Sequence, residues 1–236
     1  MAAYGKLYMI PCPIGEGDPY DTLPAANGEV IRSLDYFIVE NVRTARRFLS
    51  RGKIGRPIDD LEFAELNEHT PPQEIDQLIV PLLAGRSAGM ISEAGMPGIA
   101  DPGAEIAALA HRRGIEVVPL VGPSSILLAL MASGLNGQSF AFNGYLPVKD
   151  PQRRDAIRRF EKRAHTERQS QLFIEAPYRN ARLFADFLAA CAPATMLTVA
   201  ADLMSPDQYI RTFPIAHWRQ MPAPDINKRP AIFILG

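Results

Sequence analysis

Short apolar runs rich in β-branched and aromatic residues recur along the chain at 7–11, 36–40, 61–66, 87–91, 116–120, 139–142, 171–175 and 196–200, and each predicts a strand. Between most of them the apolar spacing widens to the three-and-four pattern of an amphipathic helix. The clearest case spans 71–84. There Ile75, Leu78, Ile79, Leu82 and Leu83 share one face, Pro71 and Pro72 suit a first turn, Thr70 and Gln73 have capping-box spacing, and Gly85 closes the element. Pro81 inside that pattern predicts a kink or an early end.

Strand and helix in alternation imply right-handed crossovers, a mostly parallel sheet covered on both faces, and ligands at the carboxyl ends of the strands. The rhythm breaks at 143–152, where Gly144-Tyr145-Leu146-Pro147-Val148-Lys149-Asp150-Pro151 precedes a highly charged helix and a second set of strands. Two α/β domains are therefore expected, 1–143 with a mostly parallel sheet and 144–236 with a mixed one. The mixed sheet follows from the last third, which is richer in proline (Pro206, Pro214, Pro222, Pro224, Pro230), ends on the apolar run 231–235, and reads as strands with turns, partly antiparallel.

Composition narrows the function more by exclusion than by signal. At 236 residues the chain needs no disulfide or metal staple, and a net charge of −1 excludes a global basic field, so any nucleic-acid contact must come from a local patch. Cys12 and Cys191 lack CxxC or Cys/His ligand spacing and read as reduced, buried thiols. His69, His111, His165 and His217 are scattered, so no metal is expected. The first residues lack the basic and apolar regions of a signal peptide, and no apolar stretch reaches the ~18 residues of a membrane span, so a cytoplasmic protein off the membrane is expected. A P-loop and a hydrolase nucleophile elbow are absent, for neither GK[ST] nor G-x-S-x-G occurs.

The candidate chemistry lies in the loops. Ser92-Glu93-Ala94-Gly95-Met96-Pro97-Gly98-Ile99-Ala100-Asp101-Pro102-Gly103 puts three glycines, two glutamate or aspartate side chains and two prolines after a strand, the composition of a stiff loop that lets a ligand approach the backbone. Val121-Gly122-Pro123-Ser124-Ser125 repeats the device after the next strand, and the two loops side by side suggest a cleft. Pro11-Cys12-Pro13-Ile14-Gly15-Glu16-Gly17-Asp18-Pro19 fails as a dinucleotide fingerprint, because the third glycine is missing and prolines interrupt the receiving helix; it is either a tight turn or a ligand loop. Glu40-Asn41-Val42-Arg43 reads either as a helix cap with a surface ion pair or as functional groups at a strand end, and Asn67-Glu68-His69-Thr70 is similar. Lys149, Arg153, Arg154, Arg158, Arg159, Lys162, Arg163 and Arg168 form the basic concentration of the chain, open to two readings: a solvated helix or a phosphate-binding face.

Taken in order, residues 7–15, 92–103, 121–125, Gly144-Tyr145-Leu146-Pro147 and Glu175-Ala176-Pro177-Tyr178-Arg179 resemble the tetrapyrrole methylase family, over nearly the whole chain. Within it the wording is most similar to the branch that methylates a cytidine ribose 2′-oxygen in small-subunit ribosomal RNA. The resemblance implies two α/β domains with S-adenosylmethionine in a cleft between them, in a homodimer. By matched motif, Ile14, Ala94, Gly95, Met96, Ile99, Ser124 and Ser125 would line the cofactor pocket, with Glu175 and Leu203 from the second domain. For a ribose acceptor, Glu40 or Glu68 is the expected proton acceptor, Arg43 and Asn67 orient, and Lys149, Arg153, Arg154 and Arg179 contact phosphates. A tetrapyrrole or other small-molecule acceptor, or binding without catalysis, is the alternative. The chain departs from that branch at Glu40-Asn41-Val42-Arg43, where the branch carries Glu-Asp-Thr-Arg, at Leu66-Asn67-Glu68 against His-Asn-Glu, and at Ser92-Glu93-Ala94-Gly95-Met96-Pro97 against Ser-Asp-Ala-Gly-Thr-Pro. An amide at Asn41 cannot take up a proton near neutral pH as an Asp could.

Overall fold

In the computed structural model, which describes residues 3–15, 18–67 and 69–236, the chain divides into two compact units, Met1–Ser124 and Ser125–Gly236. The first unit runs β1 (Leu7–Ile10), α1 (Ala25–Ser33), β2 (Tyr36–Val39), α2 (Val42–Arg51), β3 (Glu62–Glu65), α3 (Pro72–Leu78), α4 (Val80–Leu83), β4 (Ala88–Ile91), α5 (Ala104–Arg112) and β5 (Val117–Pro119). Among the described residues its sheet has the order β3-β2-β4-β1-β5, parallel throughout. Strands β2 and β4 are buried at every position, as strands covered on both faces must be.

Side chains of successive strand residues go to opposite faces and meet different helices. Leu7, Tyr36, Ile38 and Met90 pack with Leu78, Ile79 and Leu82 of the α3–α4 segment and with Ile106 and Leu109 of α5. Ile10, Phe37, Val39 and Ile91 pack with Ile31 of α1 and with Ala45, Phe48 and Leu49 of α2. All five strands therefore point their carboxyl ends the same way, and every candidate loop of this unit leaves from that edge.

The expected 71–84 helix is broken at Ile79 into α3 and α4, as Pro81 foretells. Its capping box does not form. The N-cap is Pro71, without a side-chain cap, and the Thr70 hydroxyl instead accepts the Asn67 N–H at 3.0 Å.

The second unit runs α6 (Ser125–Ser133), β6 (Phe140–Tyr145), α7 (Gln152–Glu167), β7 (Ser170–Ile174), α8 (Asn180–Ala190), β8 (Met196–Ala201), β9 (Tyr209–Pro214), α9 (Ile215–Trp218) and β10 (Ala231–Leu235). Its sheet, β6-β7-β10-β8-β9, is mixed: β6 and β7 are parallel and the other pairs antiparallel. One face packs Phe173, Val199 and Phe233 against Ile157, Phe187 and Trp218. The other packs Leu172, Ala200, Ile232 and Ile234 against Ile126, Ala129 and Leu130 of α6. That contact assigns α6 to the second unit, so the expected division at 143/144 falls inside it, and Gly144 and Tyr145 of the expected break lie within β6.

Candidate functional site

Three loops converge at the carboxyl edge of the first sheet. Cys12, after β1, exchanges main-chain hydrogen bonds with Gly95, after β4, at 2.8 and 3.1 Å, and donates its thiol to the Ser92 carbonyl at 3.2 Å. The loop after β5 joins them. A Cβ on Gly122 would lie 2.3 Å from Pro11 Cβ, so this backbone approach requires glycine. Gly95 has a φ of +72° and faces the Pro123 carbonyl, another position that favours glycine. Of the residues expected to line a cofactor pocket, Gly95 and Ser124 are buried, Ile14 and Met96 half-buried, and Ala94 and Ile99 exposed. The exposure of Ile99, 51%, leaves a branched apolar side chain available to a ligand.

Acidic groups gather beside these loops. The Glu40 carboxylate, after β2, accepts the Glu93 N–H at 3.2 Å, and the Glu93 carboxylate accepts the Thr44 hydroxyl of α2 at 3.0 Å. Burial, and then the Asp101 and Glu40 charges, push the Cys12 thiol up to about 12. Asp101 is itself held above the ordinary carboxylate range by burial and the Glu93 charge, against the Ser92 hydroxyl, which favours its charged form. Asp101 and Thr44 were not among the expected site residues. Asp101 lay within the 92–103 motif, whereas nothing in the pattern marked Thr44.

Asn41 is the N-cap of α2: its Oδ1 accepts the Thr44 N–H at 3.1 Å. Asp and Asn serve that position about equally, so the departure from the family wording keeps the local structure. Arg43 is exposed in the first turn of α2, where the helix dipole disfavours a cation. Asn67 closes a turn after β3, its Oδ1 accepting the His69 N–H at 3.0 Å. Glu68 lies outside the described residues.

In the second unit Glu175 follows β7. Its Oε1 accepts from the Ala176 N–H and from the Arg179 guanidinium, at 2.6 and 2.9 Å for the latter, which raises the Arg179 pKa. Its Oε2 is buried and accepts no hydrogen bond among the described residues. Leu203 packs into the cluster around α6, and Ser125 opens that helix. Lys149 and Arg154 are exposed, the latter paired with Asp150 at 3.2 Å.

Arg153 departs from expectation. It is 1% exposed, donates to the Pro147 and Val148 carbonyls at 2.7 and 2.5 Å, and pairs with Asp186 at 2.8 Å. A guanidinium so enclosed braces the turn before α7 and is not presented to a phosphate.

A second basic concentration, on and just after α2, was not expected from the sequence. Arg43, Arg46, Arg47, Arg51, Lys53 and Arg56 fall within 42–57, a stretch free of Asp and Glu. The signal was the run of unopposed charge.

The profile of the family described as Tetrapyrrole (Corrin/Porphyrin) Methylases matches residues 6–218. The chain belongs to that family. Among similar tetrapyrrole-methylase-type sequences, the Ribosomal RNA small subunit methyltransferase I of Vibrio cholerae is 32% identical over 230 residues, covering 97% of this chain and 75% of that protein. The protein of that name from Xylella fastidiosa is 31% identical over 235 residues, covering 100% and 82%. The crystal structure of the methyltransferase CobJ matches with a TM-score of 0.65 at 14% identity, covering 98% of this chain and 93% of that one. Uroporphyrin-III-C-methyltransferase from Thermus thermophilus matches at 0.55 and 20%, covering 98% and 92%. These two likenesses are of fold.

As a tetrapyrrole methylase the chain is an S-adenosylmethionine-dependent methyltransferase. The residues fit that donor. In the first unit the loop at Gly95 leaves its backbone open to close approach, and carboxylates flank the β1 and β4 loops as a cationic sulfonium favours; in the second unit, taken by itself, the buried Glu175 Oε2 has no hydrogen-bond donor among the described residues.

Proposed function

We propose that the chain transfers a methyl group to a ribose 2′-hydroxyl of small-subunit ribosomal RNA. The observation that carries this is the Glu40 carboxylate, held at the carboxyl edge of the parallel sheet by the Glu93 N–H, in a chain about a third identical to proteins named for small-subunit RNA methylation. When bound, S-adenosylmethionine supplies an electrophilic methyl on a positively charged sulfur. Ile14, Ala94, Gly95, Met96, Ile99, Ser124, Ser125, Glu175 and Leu203 are the proposed cofactor-holding set. With the donor bound, its methyl would pass from sulfur to the 2′-oxygen; of this chain's residues, Glu40 would take the hydroxyl proton and Arg43 and Asn67 would orient the ribose. Glu68 is the second candidate acceptor. Lys149, Arg154 and Arg179 remain proposed phosphate contacts; Arg153 leaves that set for the structural reason given above.

The homodimer and the cytoplasmic location expected from the resemblance belong to the same proposal. Among the described residues no helix is long and apolar enough to cross a membrane, and no cluster of three metal-ligating side chains forms.

Calorimetry with S-adenosylmethionine, followed by labelled methyl transfer to naked small-subunit RNA and to assembled small subunits, tests the reading. Binding with label at one ribose is expected. Binding with no label on RNA, and label on a tetrapyrrole acceptor instead, overturns it.

A further inference from the structure

We propose that the recess between α2 and the loop after β1 holds a backbone phosphate of the RNA flanking the methylated nucleotide, with Arg47 and Arg51 as its cationic wall. The proposal rests on the RNA reading above and deepens it. The recess has a volume of about 210 Å³ and is lined by Pro13 and Gly15 of the β1 loop, by Thr44, Arg47 and Arg51 of α2, and by Glu93 of the β4 loop. It therefore shares Thr44 and Glu93 with the carboxylate cluster around Glu40, the proposed proton acceptor.

Arg43, Arg47 and Arg51 recur every four residues and form a single stripe on α2. All three are exposed, and among the described residues none makes an ion pair or a side-chain hydrogen bond. Other arginines of this unit are already committed: Arg46 to Asp59, Arg86 to Asp35 and Glu62, and Arg56 to the Arg32 carbonyl. Glu93 is turned to the Thr44 hydroxyl, so among the described residues that line the recess two guanidiniums stand against one engaged acid.

In a chain of net charge −1, unopposed guanidiniums on one helix stripe beside the reaction edge match a phosphodiester, which takes planar, two-pronged donors. A tetrapyrrole's carboxylates also suit arginine, but they do not give affinity the salt slope of a polyanion.

The test compares the full-length wild type with Arg47→Gln/Arg51→Gln, each single variant, and Arg112→Gln on α5 as a charge control. Binding of small ribosomal subunits is measured across salt concentrations, with calorimetry for S-adenosylmethionine and thermal melting for folding. Neutralising both guanidiniums around one phosphate of a single strand makes the slope of log affinity against log salt shallower by about 0.7, and each single variant makes it shallower by less than that. Donor affinity and melting stay at wild-type values, and Arg112→Gln keeps the wild-type slope. A double variant with the wild-type slope, on a wild type that methylates RNA, overturns the recess alone. A wild type that binds donor but neither binds nor labels small subunits overturns the RNA reading and the recess with it.

Discussion

The Glu40 carboxylate accepts the main-chain N–H of Glu93 at 3.2 Å, so the loop after β2 and the loop after β4 are held together by one side chain. The same group is the proposed proton acceptor. Glu40→Gln separates the two roles, because an amide oxygen still accepts the Glu93 N–H but takes up no proton. Turnover on the RNA acceptor should fall about 10²- to 10⁴-fold, with donor affinity and melting temperature unchanged. Single-turnover kinetics alongside calorimetry reads both, and an unchanged rate removes Glu40 from the mechanism.

Asn41 stands where the ribosomal branch has Asp, and its side chain caps α2 through the Thr44 N–H. If capping is what the position does, Asn41→Asp leaves turnover within about twofold, since the two residues cap equally well. Asn41→Ala, by contrast, should cost about 1 kcal/mol of stability, seen as a melting temperature lower by about 2–4 °C. A large rate gain in Asn41→Asp shows instead that a base was lost here.

The parts of this architecture that were legible in the sequence were those written in local apolar pattern. Tyr36–Val39 and Ala88–Ile91 are unbroken apolar runs because both faces of a central parallel strand are covered, and they read as strands for that reason. Pro81 announced its own break. What escaped was set by contacts between distant residues. Thr70 caps no helix because Asn67 takes its hydroxyl, a competition three residues away that spacing alone cannot decide. Helix α6 is apolar nearly all round, so its pattern does not say which sheet it covers; only Ile126, Ala129 and Leu130 against Leu172 and Ile232 do. Arg153 looked like any arginine of a charged helix until Asp186 and two carbonyls enclosed it.

Arg153 gives a prediction that distinguishes bracing from RNA contact. Its guanidinium pairs with Asp186 and lies 3.9 Å from Glu175 Oε2, and removing it takes the buried counter-charge from Asp186 and leaves Glu175 with Arg179 alone. Arg153→Ala should destabilise the chain by about 3–5 kcal/mol, measured by urea unfolding of the second-unit signal from Trp218. Arg154→Gln, a change at an exposed position, should leave unfolding alone and make RNA binding less salt-dependent. Equal unfolding midpoints for wild type and Arg153→Ala contradict the bracing role.

Both thiols are buried, and burial pushes each from its ordinary 9.0 up to about 12. The folded chain therefore keeps two protons that the unfolded chain gives up once the pH passes 9. Stability linked to the thiols is complete below that point and declines as pH rises toward 12, by up to about 1.4 kcal/mol per thiol per pH unit. Tyr36, a buried phenol raised from 10.0 to about 12, adds its own decline only above pH 10, so between 9 and 10 the cysteines act first. Denaturant midpoints measured from pH 7 to 10 should hold steady and then fall, and Cys12→Ala/Cys191→Ala should flatten the fall. At pH 8 neither thiol should react with a disulfide reagent until the chain unfolds, because the reactive thiolate is absent and the sulfur is enclosed. Rapid labelling of Cys12 under native conditions contradicts the closed packing of the β1 and β4 loops on which the site is built.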